Sequence, residues 1–292
     1  MKQVDLNQVK ENIEYLAIGS ELLTSVYPET NSLFLAEKLD NLGLRLRYKS
    51  VVSDSLEDIV RAVKVALNRS RLIFISGGLG PTEDDRTREA VAQAVKKPLI
   101  FYPEIIKKIE DRFAWRGAKM TPSNRQQAYI IQGAEILDNP NGTAPGMWLE
   151  TSKHLLVLLP GPPAEFNPMV EKLMTDRLEL YRNKYVLKAV IKTTGAGESW
   201  VEDRIKSVYR LLPEDLELTT LASPGEVQIR LTLRVKETNR ENERIFDKVK
   251  NKIINLLGDK VFSTDGENLE EVIGYKLAAL GQTVACAESC TG

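Results

Sequence analysis

The sequence predicts an α/β protein whose doubly wound, mostly parallel sheet is followed by a small α+β domain. In the N-terminal half, strand-like and helix-like segments alternate three times within about 80 residues. The third of the predicted strands, residues 72–75, is short and wholly apolar, as in a parallel strand that is covered on both faces. After residue 182 the order becomes β-α-β-β-α-β, which is that of the ferredoxin-like split βαβ module.

Each strand of the first half is followed by a helix. Residues 15–18 form an apolar run, and residues 30–42 then show helical spacing. A second strand is predicted at residues 44–52, and residues 55–58 resemble a capping box that opens the next helix. A third strand, residues 72–75, completes the alternation, so ligands are expected beyond the carboxyl ends of these strands.

Two glycine- or proline-rich connections follow buried strands. Residues 76–82 lead from the third strand into a helix that is predicted to start near Thr82. Residues 155–159 form another buried strand, and residues 160–163 connect it to a helix predicted at 166–181. The first domain is predicted to end near residue 182, directly after this last helix.

The sequence divides into three predicted parts, residues 1–182, 183–264 and 265–292. The predicted elements after residue 182 are strands at 185–194, 217–221, 226–235 and 260–263, helices at 198–212 and 240–257, then a helix at 269–280 and a strand at 283–287. The last two elements would open a further α/β unit.

Composition excludes several classes of protein. Forty basic and forty-one acidic residues give a net charge of -1, so no bulk attraction to nucleic acid or to an anionic membrane is expected. The two cysteines lie close together near the C-terminus and cannot staple a fold. No apolar run approaches the roughly 20 residues that span a bilayer. We therefore expect a cytoplasmic protein with no nucleic-acid partner and no membrane partner.

The loop at residues 76–82 is typical of an anion site. Three of its residues, Gly77, Gly78 and Gly80, allow backbone N–H groups to approach a phosphate at the start of a helix. The simpler alternative is a tight strand-to-helix turn in which Thr82 is an ordinary N-cap. The buried strand before the loop and the helix after it favour the phosphate.

Three acids follow the loop at once, namely Glu83, Asp84 and Asp85. They could simply complement the helix dipole. Next to a bound phosphate, however, two like charges about 5 Å apart repel by roughly 3 kcal/mol at an effective dielectric near 20. A divalent cation between carboxylate and phosphate oxygens would remove this conflict, so the acids predict a metal such as Mg²⁺, alone or together with K⁺.

Residues 77–87 resemble the GGLGPTxDDxT signature of the CinA family, whose first domain is similar to the molybdopterin-binding MoaB, MogA and MoeA proteins. The resemblance extends to residues 19–23, 141–146 and 159–165. Residues 287–292 are similar to the start of the nicotinamide mononucleotide deamidase domain of that family, and the small middle domain to its KH-like module. No deamidase activity is expected, because the rest of that domain would lie beyond Gly292.

The resemblance implies a metal-dependent hydrolysis of ADP-ribose at its pyrophosphate, giving AMP and ribose 5-phosphate in nicotinamide nucleotide recycling. By the same resemblance Asp85 is the catalytic residue and Asp84 a second candidate, while Asp85, Asp84 and Glu21 are candidate metal ligands. One alternative is a CinA-family protein that binds a molybdopterin or nucleotide without turning it over. Another is an oligomerisation scaffold, and the resemblance implies a homodimer.

The expected ligand-binding residues lie on four loops, three of which follow predicted strands, while residues 141–146 are otherwise a simple surface loop. Several have a structural alternative: Glu21 as a solvated loop acid, Asn31 as a helix-start residue and Pro160–Pro162 as a rigid connector. The predicted set is Ser20, Glu21, Asn31, Ser76, Gly77, Gly78, Leu79, Gly80, Thr82, Asn141, Thr143, Pro145, Gly146, Pro160, Gly161 and Pro162.

Overall fold

A computed structural model describes residues 12–289 of the 292-residue chain. The chain divides into two compact units, one extending to Asn183 and the other starting at Lys184. Residues 290–292, which belong to the deamidase-like sequence match, lie outside the described residues. Among residues 12–289, no helix is both long enough and apolar enough to cross a bilayer.

The first unit combines eight strands with five α-helices. Its strands are β1 (Ile13–Ile18), β2 (Leu46–Val52), β3 (Leu72–Ser76), β4 (Leu99–Phe101), β5 (Tyr129–Ile131), β6 (Ala134–Leu137), β7 (Gly146–Glu150) and β8 (Leu155–Leu159). Its α-helices are α1 (Asn31–Asp40), α2 (Leu56–Arg69), α3 (Thr87–Val95), α4 (Pro103–Trp115) and α5 (Pro163–Asp176). Short 3₁₀ turns occur at Ser20–Leu23, Pro122–Ala128 and Leu178–Tyr181.

Six of these strands form one sheet, in the order β2-β1-β3-β8-β7-β6. The pairs β1–β2, β1–β3 and β3–β8 are parallel, whereas β7 runs antiparallel to both β8 and β6. β4 and β5 form a separate antiparallel pair. The predicted mostly parallel sheet is therefore confirmed, and the carboxyl ends of β1, β3 and β8 share one edge.

The sheet is covered on both faces, as its apolar strands predict. Side chains alternate along a strand, so Tyr15 and Phe74 face one core while Leu16 and Ile73 face the other. Helices α1 and α5 pack in the first core, and α2, α3 and α4 pack in the second. This arrangement confirms the doubly wound fold.

The second unit is a four-stranded antiparallel sheet with helices. Its elements are β9 (Tyr185–Thr194), α6 (Glu198–Tyr209), β10 (Leu216–Ser223), β11 (Glu226–Val235), α7 (Arg240–Leu257), a 3₁₀ turn at Gly258–Lys260, β12 (Val261–Ser263) and α8 (Leu269–Ala279). The strand order is β10-β11-β9-β12. Apolar residues of α6 and α7 share a core with the sheet. The order of elements is that of the predicted split βαβ module.

Four local predictions are wrong. Helix α3 begins at Thr87 rather than near Thr82, because Asp85 folds back onto the preceding loop. The helix predicted at 166–181 ends at Asp176 and continues as a 3₁₀ turn. Ser55 precedes α2 but its side chain makes no capping bond. Residues 283–287 form no strand, since no described strand pairs with them.

Candidate functional site

A cavity of about 760 Å³ opens at the carboxyl ends of β1, β3 and β8. Three loops form most of it: the segment after β1, the glycine-rich loop after β3 and the proline-rich connection after β8. The volume is typical of small-molecule sites, which measure about 300–1,000 Å³. Its place, outside the carboxyl ends of parallel strands, is where ligands bind in doubly wound sheets.

The backbone of the glycine loop leaves no room for side chains at two positions. Gly77 has φ 99° and Gly78 has φ 63°, both in the region that favours glycine. A Cβ at Gly77 would lie 2.1 Å from the Ile18 carbonyl oxygen, and one at Gly78 would lie 2.2 Å from Thr87 Oγ1. The glycines therefore allow the loop to pack against both β1 and the start of α3.

Four consecutive carbonyl groups of this loop point towards the start of α3. Thr87 donates from Oγ1 to Gly77 O at 2.8 Å and from its amide to Gly78 O at 3.1 Å. Arg88 donates to Leu79 O at 2.6 Å and to Gly80 O at 3.0 Å. The N–H of a trans peptide points opposite to its C=O, so the amides of Gly78, Leu79 and Gly80 are directed away from α3.

Two of these amides are available to a ligand. Within residues 12–289, the N–H groups of Gly78 and Leu79 donate to no protein atom, and both residues line the cavity. The third amide, of Gly80, donates to Asp85 Oδ1 at 2.7 Å. Successive backbone N–H groups on one side of a loop form a concave site for an anion.

Asp85 is the internal acceptor of the loop. Besides Gly80 N, its carboxylate accepts from the amide of Thr82 at 2.8 Å and from Thr82 Oγ1 at 2.6 Å. These bonds hold residues 82–86 in a turn and delay the start of α3. Both carboxylate oxygens thus accept hydrogen bonds from the protein. These bonds explain why α3 begins at Thr87 and not, as predicted, near Thr82.

Asn31, Ser76 and Gly161 tie the three loops together beneath the cavity. Asn31 Nδ2 donates to Ser76 Oγ at 3.1 Å and to Gly161 O at 2.7 Å. Ser76 Oγ in turn donates to Pro160 O at 3.2 Å. Asn31 Oδ1 is buried and has no partner among residues 12–289. Asn31 is therefore both a helix-start residue and a structural part of the site.

Tyr15 and Glu29, which the sequence analysis did not identify, also line the cavity. Tyr15 Oη donates to Glu29 Oε1 at 3.0 Å, and Lys49 Nζ lies 3.1 Å from Glu29 Oε2. Burial raises the pKa of Tyr15. Burial also opposes ionisation of Glu29, but the Ser32 side chain and amide, together with Lys49 and Tyr15, lower its pKa overall. Glu29 lies two residues before the start of α1, at the end of the loop after β1. This position is the sequence signal that could have identified it as a cavity residue.

The charge of the cavity lining is strongly acidic. Among residues 12–289, six carboxylates line it, and no Lys, Arg or His does. The six are Glu21, Glu29, Asp54, Asp84, Asp85 and Glu165. Any anionic group of a ligand must therefore be bound by backbone amides or accompanied by a cation.

Most of the predicted site residues are brought together by the fold. Those that line the cavity are Glu21, Asn31, Ser76, Gly77, Gly78, Leu79, Gly80, Thr82, Asp84, Asp85, Thr143, Pro160, Gly161 and Pro162. Residues from both halves of the first unit are thus neighbours at one end of the sheet.

Four predicted residues do not line the cavity. Ser20 and Asp54 bond each other reciprocally, since Ser20 N donates to Asp54 Oδ2 and Asp54 N to Ser20 Oγ. Asn141 Nδ2 donates to Ala164 O, which ties two loops together. Pro145 is buried, and Gly146 begins β7, where a Cβ would lie 2.7 Å from Met169 Cε. The contacts that the structure gives these four residues are with the protein itself, and their part in ligand binding stays a prediction.

The three predicted metal ligands line the cavity without forming a cluster. Asp85 is engaged by the loop, Asp84 is exposed on the following turn, and the Glu21 carboxylate lies against Gly19. The described part of the chain contains no group of three or more His, Cys, Asp or Glu side chains that could hold a metal ion. The side chains in their present positions do not fit a metal site, and the metal stays a prediction.

Two family profiles cover most of the chain. Residues 14–180 match the family described as a probable molybdopterin binding domain, and residues 188–263 match the KH domain of the damage-inducible protein CinA. The first match spans the unit that contains the cavity. The second spans the antiparallel unit.

Full-length relatives give the same result. The chain is 41% identical over 280 residues to a CinA-like protein of Solibacter usitatus, covering 96% of this chain and 67% of the relative. It is 42% identical over 283 residues to a competence-damage inducible protein of Moorella thermoacetica, with the same coverage. The crystal structure of a CinA protein of unknown function from Thermoplasma acidophilum has a TM-score of 0.54 and 32% identity, covering 58% of this chain and 98% of that one.

The prediction of an ADP-ribose pyrophosphatase is wrong. The matched profile describes molybdopterin binding, the relatives are named for CinA and competence, and these findings support the binding alternative instead. In the structure, both oxygens of the expected catalytic carboxylate of Asp85 accept hydrogen bonds from the protein itself. By its two matched domains and its relatives, the chain belongs to the CinA family.

Proposed function

We propose that the first unit binds a phosphate-bearing small molecule of the molybdopterin or nucleotide class in the cavity at the end of β3. The observation that carries the proposal is the pair of unpartnered amides, Gly78 N–H and Leu79 N–H, in a loop whose carbonyls are all held on the opposite side. An oxyanion is the ligand that such a pair accepts. The match to a molybdopterin-binding profile supports the class of ligand.

The acidic lining restricts what else the ligand can carry. Like charges near Glu29 or Glu165 would be repelled, so the phosphate binds at the loop and the rest of the ligand is neutral or rich in hydrogen-bond donors. Pterin and purine rings have such donors at their amino and ring N–H groups. Mg²⁺ stays a separate prediction for a pyrophosphate ligand, because the acids in the described part of the chain form no metal cluster in their present positions.

The test is a calorimetric titration of the whole chain with matched pairs of probes. AMP is compared with adenosine, and neopterin triphosphate with neopterin, each with and without Mg²⁺. The phosphate-bearing member of at least one pair is expected to bind at least about tenfold more tightly, because only that member reaches the loop amides. Equal binding within both pairs would contradict the proposal. Magnesium dependence would separate a metal-assisted site from an amide-only site.

Catalytic turnover and homodimer formation stay predictions. Turnover is checked by incubating the chain with each phosphate-bearing probe and following release of phosphate or of a nucleotide product. Assembly is checked by sedimentation equilibrium, where a mass of twice 32.8 kDa is the predicted result.

A further inference from the structure

Arg88 is a fully buried cation directly behind the glycine loop. Its side chain is 0% exposed, and it is the largest of the fully buried side chains in the described part of the chain. The guanidinium forms two hydrogen bonds, one to Leu79 O at 2.6 Å and one to Gly80 O at 3.0 Å. Burying a charge is unfavourable unless the surroundings compensate it, so this position requires a reason.

The protein itself compensates that charge only in part. Among the residues that the structure describes, no carboxylate forms an ion pair with Arg88, and Arg88 Nε is buried without a partner. Burial lowers the pKa of Arg88, while the more distant carboxylates of Glu89 and Asp85 oppose that shift. The carboxylate of Asp85 also accepts hydrogen bonds from the amides of Gly80 and Thr82. A positive charge thus remains incompletely balanced behind the loop.

We propose that Arg88 is the positioning residue of the anion site and its fixed positive charge, acting on a ligand phosphate from behind the loop rather than by contact. This inference rests on the proposed function. The guanidinium holds the carbonyls of Leu79 and Gly80 on the side of the loop where Thr87 holds those of Gly77 and Gly78. The N–H groups of Gly78 and Leu79 point to the opposite side, towards the cavity, whereas the N–H of Gly80 donates to Asp85.

Burial makes this charge effective over a distance. The guanidinium has no access to solvent, so salt and water screen it less than they would screen an exposed lysine. The guanidinium is also held in one position, because each of its two terminal nitrogens donates a hydrogen bond to a loop carbonyl. The cavity lining contains no basic side chain, and Arg88 supplies from behind what the lining lacks.

The experiment compares inorganic pyrophosphate binding, by calorimetry, in the wild-type chain and in Arg88→Met, Arg88→Lys and Arg86→Met. Arg88→Met removes the charge and both donors and is expected to weaken binding at least about tenfold. Arg88→Lys keeps the charge but loses the planar pair of donors that bonds two carbonyls, and it is expected to weaken binding by about threefold to tenfold. Arg86→Met is the matched control, since Arg86 is exposed and its side chain donates, among the described residues, only to the Glu83 carbonyl. The affinity of this variant is expected to be unchanged.

Each outcome decides between the two proposals. No pyrophosphate binding by the wild-type chain removes both the proposed function and the role of Arg88. Wild-type binding with unchanged affinity in a folded Arg88→Met, checked by circular dichroism, overturns the role of Arg88 alone. If Arg88→Met does not fold, Arg88→Lys decides, and wild-type affinity in it overturns the proposal. A second readout is adenosine, whose binding should be equal in all four proteins, because it carries no phosphate.

Discussion

At the carboxylate of Asp85, hydrogen bonds from Gly80 N, Thr82 N and Thr82 Oγ1 converge within 2.8 Å. Because its carboxylate accepts hydrogen bonds from three donors of its own loop, Asp85 stabilises the structure of that loop. Asp84, its neighbour, is exposed on the turn. Substitutions at these adjacent residues should therefore have very different effects on stability.

We predict that Asp85→Asn lowers the free energy of unfolding by about 1–2 kcal/mol, because an amide nitrogen cannot accept from the two Thr82 donors. Asp84→Asn is the matched control and should stay within about 0.5 kcal/mol of wild type. Urea unfolding measures both changes. Faster amide hydrogen exchange at Gly80 and Thr82 in Asp85→Asn would locate the effect, and equal stabilities of the two variants would contradict it.

Glu29 should contribute to stability in a pH-dependent manner. Its pKa in the fold lies below its ordinary value of 4.5, so its contribution is present above that value and is lost as the pH falls through the lowered pKa. We predict that Glu29→Gln costs about 1–3 kcal/mol at neutral pH and that the difference from wild type shrinks as the pH falls below 4.5 and through the lowered pKa. Unfolding curves at several pH values test this.

A matched control for Glu29 is Glu171, whose exposed carboxylate pairs with Lys38. Exposed pairs contribute about 0–1 kcal/mol, so Glu171→Gln should change little at any pH. A constant difference between Glu29→Gln and wild type over the whole pH range would refute the lowered pKa.

At the scale of elements, the β3-loop-α3 segment depends on close backbone packing at Gly78. We predict that Gly78→Ala costs about 2 kcal/mol or more and abolishes pyrophosphate binding, since the new Cβ would lie 2.2 Å from Thr87 Oγ1 and displace the loop. Gly117→Ala is the control, because Gly117 has φ 68° with no atom within 4 Å of an added Cβ. It should cost only about 1 kcal/mol and leave binding intact.

If both alanine variants lose the same stability, positive φ rather than the contact with Thr87 explains the cost. Thermal unfolding and calorimetric titration of the two variants separate these outcomes. Retained binding in Gly78→Ala would show that the loop geometry is not required.

The elements that the sequence predicts well are those with a strong apolar pattern. β8 matches residues 155–159, and β9, β11 and α7 begin and end where the pattern does, because burial on one or both faces determines it. The start of α3 was misplaced because one side chain, Asp85, competes with the helix for local donors. No strand or helix is predicted from the sequence between β4 and β7, where the strands β4 and β5 have only three residues each and the 13-residue helix α4 was missed.

For the site, sequence reasoning identified the loops but not the groups beneath them. Tyr15 was assigned only to a strand, and Glu29 lay outside any motif. The sequence analysis predicts no role for Arg88, although Val91 and Ala92, three and four positions later, are buried on the same face. That spacing is the signal that could have identified it. Which polar groups meet, such as Asn31 with Gly161, depends on tertiary packing.

At the scale of the molecule, ligand binding should affect the two units unequally. We predict that pyrophosphate at 100 times its Kd stabilises the unit that ends at Asn183 by about 2.7 kcal/mol, because only that unit contains the cavity. Hydrogen exchange with mass spectrometry measures this: peptides from β1, β3 and β8 should gain protection, whereas peptides from β9 to β12 should not. Equal protection in both units would contradict it.

The hydrogen bonds that shape the glycine loop have a consequence for its evolution and engineering. Most of their donors and acceptors belong to one stretch of twelve residues, from Gly77 to Arg88. The exceptions are Gln126, which donates to the carbonyls of Gly80 and Thr82, and Leu159, whose carbonyl accepts from Gly77. Substitutions elsewhere in the sheet can thus lower the melting temperature without altering the loop's shape. Conversely, transplanting that stretch onto another strand-to-helix junction should carry the amide arrangement with it where the recipient supplies a donor in the place of Gln126.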